Sequence, residues 1–184
     1  MFTRKTRLFG LSSLFVALVT LTSAAHAARE VLDAEVNVAL DDLYSRSATA
    51  KDLGQKAVGI LVFPRVYKGG FWLGGAFGDG ALRVQGQTVQ YYRTTGLSFG
   101  LLLGGQVQTQ VVMFMTPEAL TSFRASENWQ AGVDGSIAVI NIGAGKTVDT
   151  ETSKESIVGF IFGNKGLMYD LSFKGAKYWK IAAE

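Results

Sequence analysis

Between residues 57 and 173 the chain is a succession of short runs in which apolar residues alternate with polar or small ones. A period of two is the signature of extended backbone, because only a strand sends successive side chains to opposite sides. The runs lie at 57–63, 71–77, 81–85, 89–94, 96–103, 107–115, 136–142, 157–162 and 167–173, with turn residues between them. One clear helix interrupts them at 117–124, where Thr116 is placed to cap the first turn and Pro117 occupies the first helical position. Before the strands, 28–43 is helical: Leu32, Val36, Ala39, Leu40 and Leu43 share one face, while Glu30, Asp33, Asn37 and Asp41 share an acidic outer face. Cationic side chains would mark a helix lying on a membrane, so this one is expected to pack on the protein's own sheet. A polar joint at 45–52 separates it from the strands. These elements predict an α+β domain built on an antiparallel, strongly curved or barrel-like, glycine-rich sheet.

Glycine is the second feature that needs a physical account, since the chain holds 22, about twice the usual share. Only two prolines accompany them and the alternation is regular, so disorder is not the explanation. In the segment from Gly96 to Gly105, Gly96, Ser98, Gly100 and Gly104 fall on one side of the strand and Leu97, Phe99, Leu101 and Leu103 on the other. A flat side admits close approach of another element, and glycines near strand ends permit bulges and tight bends.

The N-terminus reads differently from the rest. Arg4, Lys5 and Arg7 precede an uncharged stretch from Leu8 to Leu21, which is followed by Ala25-His26-Ala27. That order predicts a secretory signal peptide over 1–27, with cleavage after Ala27, and places the protein in the periplasm or outside the cell. The expected product, 28–184, is a single domain long enough for a proper core. Its formal charge drops from +3 to zero, so the basic balance belongs to the leader. His26 leaves with it, and no cysteine occurs anywhere.

A chain with neither histidine nor cysteine lacks imidazole bases, thiol nucleophiles and the usual nitrogen and sulfur ligands of zinc. Asp79, Asp134 and Asp170 sit among glycines or turn residues, where an Asx turn accounts for them. No enzymatic activity and no cofactor are expected. One motif imitates a nucleotide site: Gly143-Ala144-Gly145-Lys146-Thr147 ends as a P-loop ends. The glycine that should open that loop is Ile140, and Val148 to Glu155 has no apolar helical face to carry a phosphate-binding helix N-terminus. Neither nucleotide nor nucleic acid is expected as a partner.

The segment Ala57-Val-Gly-Ile-Leu-Val-Phe-Pro-Arg-Val-Tyr-Lys-Gly-Gly-Phe71 is followed by Gly74-Gly75, Gly78 and Gly80. Further on come Ala119, Leu120 and Phe123, then Trp129, Gly132, Asp134 and Ser136, then Lys165-Gly166-Leu167-Met168 with Ser172, Gly175 and Lys177. In order and spacing these residues resemble the SYLF lipid-binding domain family, over nearly all of 28–184. The resemblance implies a binding module without catalytic machinery; eukaryotic members bind phosphoinositides and some bundle actin. The chain departs from the family pattern at Asp170, where glycine is usual, at Lys174, where an acid is usual, and in its acidic N-terminal segment.

Charge is distributed unevenly along the neutral product. Residues 56–93 contain five basic residues, Lys56, Arg65, Lys68, Arg83 and Arg93, against the single acid Asp79. Gathered on one surface, they would form a site for anionic phospholipid headgroups. Two functions stay open on the sequence: a lipid-contacting envelope module, with Arg65 and Lys68 reaching outward from a loop, and a structural or protein-binding envelope component without lipid.

Overall fold

The alternating segments pair into one sheet in the computed structural model, which describes residues 9–71, 73–99, 104–142, 155–166, 173 and 175–181. The chain divides into two units, Met1–Val31 with Glu184 and Leu32–Ala183. In the first, residues 9–31 are helical and belong to α1 (Phe9–Arg46). No helix among the described residues is long and apolar enough to cross a membrane.

In the second unit, α1 continues to Arg46, and the polar joint expected after it is instead a second helix, α2 (Ala48–Lys56). The sequence hides this helix because it is short and polar, yet its start is well made: Ser47 Oγ accepts from the Ala50 N–H at 3.1 Å. Ala50 and Leu53 give it a small buried face. The strands follow as β1 (Gly59–Phe71), β2 (Leu73–Val84), β3 (Gln87–Phe99) and β4 (Gly104–Phe114). Next come α3 (Pro117–Ala125), capped as expected by Thr116 Oγ1 accepting from the Ala119 N–H, and β5 (Asn128–Gln130). The last elements are β6 (Ala138–Asn141), β7 (Ile157–Gly166) and β8 (Lys177–Ile181). Across the sheet the order is β5-β8-β3-β2-β1-β4-β7-β6, and every described pair is antiparallel except β6 with β7. The sheet is curled into a half-barrel, and the α+β expectation holds.

Three boundaries differ from the alternation reading, each for a local reason. Run 71–77 from Leu73 onward, Phe71 being the last residue of β1, forms one strand with 81–85 as far as Val84, and so do 89–94 and 96–103 as far as Phe99, because the glycines and threonines between them are inside the ladder and not in turns. β1 runs straight through Pro64, which cannot donate to a ladder and stands within a bulge: the register shifts between Phe63 and Val66 against β4. β5 and β8 are too short to show a period. The flat face centred on Gly100 and the run 167–173 apart from Phe173 lie outside the described residues, as does the Gly143–Thr147 segment; Ile140, which precedes the latter, is buried in β6.

Both faces of the sheet are partly covered, and the alternation divides the core accordingly. Toward α3 point Leu61, Phe63, Val66, Leu82, Val112 and Phe114, packed with Leu120 and Phe123 of the helix. Phe123 is the hub of that side, with the rings of Phe114, Tyr92, Trp129 and Tyr178 at 4.8, 5.0, 5.6 and 6.0 Å. Toward α1 and α2 point Val62, Ala81, Val111, Met113, Val158 and Phe160, met by Val36, Ala39, Leu43 and Leu53. The helix thus packs on its own sheet through the face the sequence assigned.

Candidate functional site

The bulge at Pro64 decides where the central basic residues go. Phe63 and Val66 lie in the same core cluster although three positions separate them, so the extra residue reverses the parity of everything after it. Val66 takes the α3 side, Tyr67 is turned to the opposite face, and Lys68 follows Val66 inward. Lys68 is therefore only 5% exposed, and the outward reach expected of it is corrected. It stands in β1 opposite Gln106, whose neighbours on the same side are Gln108 and Gln110, all three buried. Gln106 Nε2 donates to Gln108 Oε1 at 3.2 Å, while Gln110 Oε1 finds no partner.

The other four basic residues are placed as follows. Lys56 is exposed in the last turn of α2. Arg65 is exposed at the bulge, where Glu35 of α1 takes its guanidinium. Arg83 is largely buried: its guanidinium donates to Gly86 O at 3.0 Å, Asp33 O at 3.1 Å and Asn37 Oδ1 at 3.0 Å. Arg93 is exposed on β3, forms a two-pronged pair with Asp79 at 2.7 and 2.9 Å, and lies 4.9 Å over the ring of Phe77. The hydrogen bond to Asp79 holds its pKa above the usual arginine value.

On the acidic face of α1, Glu30, Asn37 and Asp41 are exposed as expected, while Asp33 is half-buried. Asp33 accepts from Thr88 Oγ1 at 2.7 Å and Tyr91 Oη at 2.9 Å, and together with Asn37 it ties the helix to Arg83. This face is not simply an outer one. It is a polar seam to the β2–β3 hairpin, and Arg83 acts there as a structural cation.

Among the described residues, a surface the sequence reading missed adjoins Arg93. Tyr67 is 50% exposed, Phe77 46% and Trp179 40%. Tyr67 and Phe77 are direct cross-strand partners, Phe77 pairs with Thr95, and Thr95 pairs with Lys177. Trp179 is the partner of Arg93 and donates from Nε1 to Thr95 Oγ1 at 2.9 Å. Side chains of directly paired residues project on the same face, so three aromatics and two cations share one stretch of the face on which α1 packs. The only sequence signal was the tyrosine after Phe-Pro, and the bulge made its side unreadable. Among the described residues, no group of acidic or histidine side chains is arranged to hold a metal ion.

Residues 95–182 match the family profile described as Ysc84, Las17-binding protein actin regulator. The chain is also 27% identical over 158 residues to Beta cell expansion factor A of Aeromonas veronii, an alignment that takes in 84% of this chain and 58% of that protein. The chain thus spans less than two thirds of the length of this relative. The profile is that of binding proteins, and the family is not a known enzyme family. In keeping with the resemblance read in the sequence, the segment 95–182, just under half of the chain, is similar to the Ysc84, or SYLF, family.

Proposed function

We propose that this chain is a non-catalytic phospholipid-binding module of the cell envelope, exported with loss of residues 1–27, that meets anionic headgroups through exposed cations. The observation that carries this reading is the Arg93 guanidinium spread over the half-exposed ring of Phe77, beside Tyr67 and Trp179. An exposed cation among amphipathic aromatics suits a boundary where headgroup phosphates meet acyl chains. Similarity to the family over 95–182 supports a binding role. Of the five basic residues, Lys56, Arg65 and Arg93 are exposed, the two arginines paired with Glu35 and Asp79, which a headgroup phosphate would have to displace; Arg83 and Lys68 serve the contact through the fold that displays the others.

The test is co-sedimentation of the exported protein with phosphatidylglycerol-containing and pure phosphatidylcholine vesicles. Preference for the anionic vesicles, reduced by salt, is expected. A basic residue near an anionic surface contributes about 1 kcal/mol, so Lys56→Glu with Arg65→Glu should weaken binding by at least tenfold. Absence of binding to either vesicle would leave the protein-binding envelope component as the function.

A further inference from the structure

We infer that Tyr67, Phe77 and Trp179 form the surface that seats against the bilayer, so that attachment has an interfacial component independent of headgroup charge. This rests on the lipid-binding reading above and specifies how the contact is made. Three large aromatics between 40% and 50% exposed, on neighbouring strands of one sheet face, are more than scattered surface apolar residues. Tyrosine and tryptophan carry an apolar body with a polar tip, and that pairing favours the membrane–water boundary.

Charge points to a phospholipid surface as the occupant. Lys177 stands exposed beside the aromatics, and Arg93 and Asp79 neutralise each other, so these residues carry a net positive charge and no unpaired acid. Backbone chemistry agrees. β1, β2 and β3 are interior strands paired on both sides, so laying this part of the sheet against acyl chains leaves no row of open backbone donors and acceptors. The neighbouring Gly75 is exposed on the same face two positions from Phe77 and adds no side chain of its own beside the aromatics.

The probe is phosphatidylcholine vesicles at 1 M salt, where the Debye length falls to about 3 Å and headgroup attraction is screened. Parent protein is expected to retain measurable binding, with Trp179 fluorescence quenched by bromine-labelled acyl chains and the quenching reduced in Trp179→Phe. Phe77→Ser should weaken this salt-resistant binding by about tenfold, the loss expected when roughly half of one aromatic's burial is forfeited. Gly75→Glu is the second variant. Among the described residues a Cβ there meets nothing closer than a backbone oxygen at 4.0 Å, so the fold is expected to accommodate it while the carboxylate holds the bilayer off. Melting curves equal to the parent's establish that both variants are folded.

Salt-resistant binding unchanged in both variants would overturn the inference and leave the lipid reading intact. So would parent binding confined to anionic vesicles and abolished by salt. A parent that binds no vesicle at all removes both. Self-association of the lipid-free parent, broken by Phe77→Ser, would make the face a contact between copies and overturn the inference as well.

Discussion

Single residues show how far burial overrides composition. Tyr178 is fully buried against Phe63, Phe123 and Trp129, and its hydroxyl has no hydrogen-bond partner. Desolvation pushes its pKa well above the usual tyrosine value, since the phenolate would be stranded among rings. In the unfolded chain the group ionises near pH 10. The folded protein keeps it neutral there, so its stability is intact below about pH 10 and falls as pH rises further. Tyr178→Phe should flatten that alkaline fall in melting temperature. At pH 7 it should match or exceed the parent by about 1 kcal/mol, because a buried hydroxyl without a partner costs stability. A variant less stable than the parent at neutral pH would mean that the hydroxyl is satisfied. Lys68 carries the complementary lesson: a lysine between a tyrosine and a glycine reads as exposed, and only the strand's parity reveals that it is not.

At the scale of elements, the bulge of β1 and the glycines of β2 form one device. A Cβ at Gly78 would run into the Arg65 carbonyl oxygen, and one at Gly80 into the Val62 carbonyl oxygen and the Phe63 ring. The bulge around Pro64 leans onto β2, and the glycines are the space it needs. Backbone carbonyls cannot step aside as a flexible side chain can, so Gly80→Ala should cost about 1 to 3 kcal/mol in chemical denaturation, within the range for overpacking. Gly75→Ala, where an added Cβ meets no described atom closer than 4.0 Å, is the control and should leave stability near the parent's. Equal stability of the two would show that the close approach at Gly80 relaxes freely. This pairing also explains why the strands were legible only in pieces. Glycines at 78 and 80 carry the composition of a turn, yet they are ladder positions, and what makes them glycine lies on another strand.

For the whole molecule, the leader is tested directly. Intact mass of the protein recovered after export should correspond to residues 28–184, with α1 then starting within its present span. A mass that includes residues 1–27 would make the chain anchored. The sequence by itself determined what depends on neighbours along the chain: extended runs from the period of two, α3 from its Thr116-Pro117 start, the apolar face of α1, and the family resemblance from ordered short motifs. Tertiary structure alone decided what depends on pairing across strands. The Pro64 bulge set which face Tyr67 and Lys68 take. The β2–β3 hairpin turned Asp33 and Asn37 into a seam, and the register of β8 brought Trp179 beside Arg93. The physical reason is that a strand's side-chain period is two, so one inserted residue moves every later side chain to the other face, and nothing local records which partner strand demanded it.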